Sequence, residues 1–168
     1  MKGNAATSTT LAAAIMALSQ ASSASPIGLV ADADASVRGG AQSGSSSGLG
    51  QTLTAADNNS ASGDYKTYIR FDLSSVPGTI ESASLNLTFD DVLHSTGTPT
   101  YSVYGMGDAL GDSWTEALIS FNTAPGNNTD YQDMTGSTLL GDFTYDRSVV
   151  SGGDTFSFAS SALDTFLN

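Results

Sequence analysis

Fifteen aspartates, two glutamates, one histidine and no cysteine set the chemistry open to this chain. An enzyme needs an acid, base or nucleophile held beside convergent partners. The one histidine, His94, lies in the polar stretch Asp90-Asp-Val-Leu-His-Ser-Thr96. No Gly-x-Ser-x-Gly elbow leads into a helix, and Gly40-Ala-Gln-Ser-Gly44 has the wrong spacing for one. None of the carboxylates sits in an apolar setting that would raise its pKa for general-acid work. His94 therefore reads as structural or solvated, and the residues argue against catalysis.

Oxygen ligands are the next possibility. Asp32 with Asp34, Asp57-Asn-Asn59, Asp90-Asp91, and the set Asp108, Asp112 and Glu116 are the oxygen-rich clusters. Calcium takes six to eight such oxygens, and the last set makes the calcium candidate. No stretch matches the twelve-residue calcium loop, and aspartate also satisfies turns unaided.

Binding to a sugar asks for aromatic faces and planar polar groups. Tyr68 and Arg70 share the polar side of one expected strand, and Tyr104 lies on another. Trp114 sits in Gly111-Asp-Ser-Trp-Thr-Glu116, where the plainer reading is a ring packed over the end of the fold. Arg38 and Arg70 are the groups that could clamp a uronate carboxylate. The net charge of −12 would repel an acidic glycan unless calcium bridged it. The five basic residues are scattered and make no phosphate-binding stripe, which argues against a nucleic-acid partner.

The elements that must position these groups are short strands. Ile69, Phe71 and Leu73 alternate with Tyr68, Arg70 and Asp72 within Tyr65–Leu73; Ala83, Leu85, Leu87 and Phe89 alternate with polar residues within Ser82–Phe89. A period of two with one polar face predicts half-buried antiparallel strands. Pro77-Gly78 supplies a turn between them. Further strands are expected at Ala35–Arg38, Thr100–Gly105, Leu118–Asn122, Leu139–Tyr145 and Thr155–Ala159, with a mobile Gly/Ser loop at Gly39–Ser47. Helical spacing occurs only at Ser160–Leu167. The pattern predicts an all-β, antiparallel two-sheet sandwich, jelly-roll-like, as one module over 26–168.

Residues 1–25 are expected to stand apart from that core. Lys2, the apolar run Leu11-Ala-Ala-Ala-Ile-Met-Ala-Leu18 and the small residues Ala21-Ser-Ser-Ala-Ser25 follow the layout of a secretory signal peptide. The run is too short to span a bilayer, and no other segment is long and apolar enough. A secreted, extracellular or cell-surface protein is the expectation.

Three segments in order resemble a known family: Ala33-Asp-Ala-Ser-Val-Arg38; Tyr68-Ile-Arg-Phe-Asp-Leu-Ser-Ser-Val-Pro-Gly78 running into Ile80-Glu-Ser-Ala-Ser-Leu-Asn-Leu87; and Tyr101-Ser-Val-Tyr104 followed by Trp114-Thr-Glu116 and Ile119-Ser-Phe-Asn-Thr-Ala-Pro125. Together they resemble the DNRLRE domain, carbohydrate-binding module family 96. The resemblance implies a jelly-roll-like sandwich on secreted bacterial or archaeal proteins, often beside polysaccharide lyases or on sorted cell-surface proteins, with some members binding acidic polysaccharides. Where the family pattern has Trp-Asn-Asn-Ala-Pro, this chain has Phe121-Asn-Thr-Ala-Pro125. Family members usually add strands beyond a segment like Ser160–Leu167. That predicts an incomplete last layer, with Phe156 and Phe158 partly uncovered and an open edge suited to self-association. Two readings follow: a non-catalytic module holding its parent on an extracellular polysaccharide, or a structural and adhesive module that assembles through an open sheet edge.

Overall fold

The computed structural model describes residues 9–19, 26–46, 50, 52–56, 64–92, 97–111, 113–127 and 134–168. It is a mostly β chain in which, among the described residues, every strand pairing is antiparallel. The strands are β1 (Thr9–Ser19), β2 (Ile27–Val30), β3 (Ala33–Arg38), β4 (Leu53–Ala55), β5 (Tyr65–Arg70), β6 (Ser82–Val92), β7 (Thr100–Gly105), β8 (Thr138–Thr144) and β9 (Thr155–Phe158), followed by helix α1 (Ser161–Phe166). Among the described residues they form a five-stranded sheet, in the order β2-β1-β6-β9 with β4 also on β1, and two ribbons, β3-β5 and β7-β8.

β6 carries the clearest alternation and does what that pattern dictates. Ala83, Leu87 and Phe89 are buried, and Leu85 packs half-buried against the same clusters. Ile69, Phe71 and Leu73, the apolar side of the β5 region, are likewise half-buried against this core. Between the two segments, Gly78 takes φ +77° after Pro77, a conformation that glycine adopts without penalty. The end of the chain folds as its spacing predicts. Ser160 caps α1 by accepting from the Leu163 amide at 3.0 Å, and Leu163 is buried against β6 and β8.

Three expectations are corrected. Leu118–Asn122 is not a strand: the Leu118 and Ile119 amides donate to the Thr115 carbonyl, and Ser120 bonds Thr123 through both backbone and side chain. Such short-range bonds compete with a sheet ladder, yet Ile119 and Phe121 are still buried. Phe158 is only 5 % exposed, covered by Leu140, Phe143 and Leu163, and Phe156 stacks on Phe143 at 4.4 Å. Phe158 is thus covered by β8 and α1, while Phe156 stays half-exposed, as expected. Finally, Thr9–Ser19 does not stand apart from the core. It is an interior strand of the largest sheet among the described residues, with Met16 7 % exposed among Ile80, Ala83, Leu140, Phe158 and Leu163. Within Gly39–Ser47, the described part contains a 3-10 turn at Gly40–Gln42, and the Asn122 amide donates to the Ser43 carbonyl.

Candidate functional site

The β3–β5 ribbon carries the candidate residues, and its register decides which can meet. Ala33 pairs with Arg70, Ala35 with Tyr68 and Val37 with Lys66, so these six share one face. The face is not open. Segment 113–127 lies over it, and Ile119, Phe121 and Ala124 are buried with Ala35, Val37 and Tyr68. Tyr68 is 2 % exposed, its hydroxyl 3.8 Å from Met134 Sδ. Burial pushes the phenol well above the ordinary tyrosine range. The expectation that Tyr68 offers an accessible stacking face is therefore corrected. Its ring is a core element, because a loop covers the side of β5 that its sequence marks as polar.

At the Arg70 end of this face the cover thins. Arg70 and Asp32 form an ion pair, Nη2 to Oδ2 3.0 Å, with their side chains 29 % and 40 % exposed. The Arg70 Nε–H donates to the same oxygen at 3.0 Å. Its Nη1 donates to the Trp114 carbonyl at 2.8 Å, and the guanidinium lies over the indole, 5.3 Å from the ring centroid. Trp114, half-buried, meets the Tyr68 ring edge-on at 6.3 Å and 71°. Two more bonds fix the tryptophan loop. Glu116 Oε1 accepts from the Asp34 amide at 3.0 Å, and the Ser46 hydroxyl donates to the Glu116 carbonyl at 3.1 Å. The result is a half-exposed indole held beside a half-exposed guanidinium–carboxylate pair. Flat apolar surface next to planar hydrogen-bonding groups suits the apolar faces and hydroxyls of a sugar.

The other candidates do not join it. Tyr104 is on β7, in the separate β7–β8 ribbon, so Tyr68, Arg70 and Tyr104 do not share one sheet surface as expected. Arg38 pairs with Tyr65 and lies over that ring at 5.2 Å. It stands five residues from Ala33, the partner of Arg70, and so on the opposite face of the ribbon at its other end. Arg38 and Arg70 thus cannot clamp one carboxylate. Asp108 is exposed at the start of a 3-10 turn, and the Glu116 carboxylate is engaged with the Asp34 amide. Asp112, His94 and Asp57-Asn-Asn59 lie outside the described residues. No three acidic, histidine or cysteine side chains converge among the described residues.

Sequence reasoning missed two features of this face. Asp32, which the sequence marks only as part of an oxygen-rich cluster, is the ion-pair partner of Arg70. Lys66 reaches the Phe121 ring at 5.6 Å and donates to Asn127 Oδ1 at 2.7 Å, a second cation–aromatic contact clasping the cover. A signal was present in the alternation of Lys66, Tyr68 and Arg70, but not the identity of what lies over them.

The site carries one electrostatic strain. Burial and the neighbouring Glu116 raise the Asp34 pKa above its ordinary value. The folded state therefore holds that proton more tightly than the unfolded chain, so the associated stability is lost as pH rises through the raised pKa. Asp34→Asn should raise stability near neutral pH by less than about 1 kcal/mol after solvent screening, and the thermal midpoint with it. The gain over the parent should shrink once the pH falls below the ordinary carboxylate range. A calorimetric pH series reads both, and an equal offset at every pH would contradict this account.

The family model for carbohydrate-binding module family 96 matches residues 25–141, from just before β2 into β8. No curated protein and no solved structure matches the chain. The match spans more than half of the sequence and contains Asp32, Arg70 and Trp114, the residues the fold brings together. This chain belongs to carbohydrate-binding module family 96, a carbohydrate-binding and typically non-catalytic family.

Proposed function

We propose that the chain is a secreted, non-catalytic module, a jelly-roll-like sandwich that attaches its parent protein to an extracellular polysaccharide through the surface formed by Trp114, Arg70 and Asp32. The observation that carries the reading is the half-exposed indole fixed against a half-exposed guanidinium–carboxylate pair, within the stretch that matches the family. The signal-peptide layout of residues 1–25 supports secretion. Local charge selects the class of glycan. Asp32 already engages the charge of Arg70 in an ion pair, and the whole chain carries −12. A neutral, hydroxyl-rich polysaccharide fits that field, whereas a uronate would be repelled without a bridging calcium ion.

A glycan array of neutral and uronic-acid polysaccharides, with and without calcium, tests the reading beside the variant Trp114→Ala. Retention on at least one neutral glycan is expected, with affinity falling about tenfold or more in the variant. Arg70→Lys, which keeps the charge but loses the planar fork, should weaken binding as well. Glycan binding left unchanged by both substitutions would move the site elsewhere. Binding confined to uronates in calcium would overturn the choice of a neutral ligand.

A further inference from the structure

An interior strand of the large sheet comes from outside the stretch that matches the family. The match begins at residue 25, yet β1 (Thr9–Ser19) lies between strands that belong to it. On one side it pairs with β6 from Thr9↔Val92 to Ser19↔Ser82. On the other it pairs with β2 from Ile15↔Val30 to Leu18↔Ile27, and with β4 from Thr9↔Ala55 to Leu11↔Leu53. β2 pairs with no other strand among the described residues. The slot therefore offers hydrogen bonds from both walls, unlike a simple sheet edge, which offers them from one.

Its occupant has a distinct chemistry. Thr9-Thr-Leu-Ala-Ala-Ala-Ile-Met-Ala-Leu-Ser19 has no charge, proline or glycine, and its described anchor is Met16, seated among Ile80, Ala83, Leu140, Phe158 and Leu163. The same segment is the apolar run of the signal-peptide layout. Removal of residues 1–25 would leave the backbone of β6 unpaired along this side and uncover the Met16 pocket. An unpaired strand beside exposed apolar surface is a template for an extended chain.

From this we infer that the slot between β6 and the β2/β4 wall is a strand-accepting site: the chain's own Thr9–Ser19 fills it before processing, and an extended, uncharged, small-and-apolar segment of another polypeptide fills it afterwards. The inference rests on the leader being removed, as in the proposed function, but is independent of any glycan. It gives the module a means of assembly that comes into use only when the leader has gone.

The test starts from the folded full chain carrying a protease site placed between Ser19 and Pro26. After cleavage, a fluorescein-labelled Thr9–Ser19 peptide is added in excess and its uptake followed by anisotropy and gel filtration. The labelled peptide should enter the protein and co-elute with it. Peptides with Met16→Asp or Ala14→Pro should bind about tenfold or more weakly, the first placing a charge in the pocket and the second removing a ladder donor. If the cut protein aggregates, suppression by the wild-type peptide but not by the variants supports the slot. Aggregation indifferent to peptide, equal uptake of all three peptides, or a cut protein that stays folded and takes up none would overturn it. N-terminal sequencing of the secreted protein supplies the remaining arm: retention of residues 9–19 would make β1 a permanent strand and end the acceptor role, leaving glycan binding untouched.

Discussion

Tyr68→Ala should lower the stability of the fold by about 3–5 kcal/mol, the cost of emptying a large aromatic site in a packed interior. The ring is 2 % exposed, and it stands between Ala35 and Val37 below and Ile119, Phe121 and Trp114 above. Its loss would uncouple the 113–127 cover from the β3–β5 ribbon, and with it the Trp114 platform. Urea unfolding reads this as a shift in midpoint at a nearly constant slope. The informative partner is Tyr68→Phe. The hydroxyl lies 3.8 Å from Met134 Sδ, a weak acceptor, so its removal should cost no more than about 1 kcal/mol and leave glycan affinity unchanged. A direct sugar contact through the phenol would give the opposite result, lost binding in a fully stable Phe variant.

The phenol adds a pH signature. Burial raises its pKa, so the unfolded chain gives up this proton at a lower pH than the folded protein does. Stability present below the ordinary tyrosine pKa is therefore lost as pH rises through it toward the raised value. Tyr68→Phe removes that liability and should hold its midpoint better on the alkaline side. Two exposed aspartates act at the other end of the scale. Side-chain and then backbone hydrogen bonds from Ser74 and Ser148 hold Asp72 and Asp146 below the ordinary carboxylate range. Their contribution is present at neutral pH and lost on acidification through those lowered values.

What the sequence made legible follows the physics of short range. Ser82–Phe89 announces a strand with one apolar face because alternation is a local property, and Ala83, Leu87 and Phe89 are buried accordingly. The Ser160 cap and the apolar side of α1 are local in the same way. Relations between distant segments are not. Arg38 and Arg70 look equivalent in sequence, and only the pairing of Ala33 with Arg70 reveals that they occupy opposite faces. Tyr68 was placed with the polar residues because tyrosine fits either environment, and nothing within β5 says that 113–127 will cover it. Leu11–Leu18 reads as a leader because its composition is that of one; its place in the sheet depends on β2, β4 and β6 having compatible lengths and registers. Trp114 was identified by residue type alone, while the reason it can serve, the three bonds that fix its loop, is wholly tertiary.

Leu87→Asp should abolish the folded state near neutral pH. Leu87 is buried beside Leu53 and packs with the apolar side chains of Ile69, Phe71, Leu85 and Phe143. An ionised carboxylate there would be left without a partner, a loss of several kcal/mol on top of the missing leucine packing, against a total stability of about 5–15 kcal/mol. The opposite face of the same sheet supplies the control. Ser157 pairs with Asn86 and is exposed, so Ser157→Asp should change stability by no more than about 0.5 kcal/mol. pH separates buried charge from lost shape. Burial raises the carboxyl pKa in the folded state, so any folding of Leu87→Asp should be regained as pH falls and the group is neutralised, then lost again as pH rises. Leu87→Ala, which loses packing without adding a charge, should instead cost about 2–5 kcal/mol with no such acid rescue. Circular dichroism and urea midpoints across the pH series distinguish the three variants. A cooperative, soluble Leu87→Asp with its midpoint unshifted at neutral pH would show that this face of β6 does not look into the core.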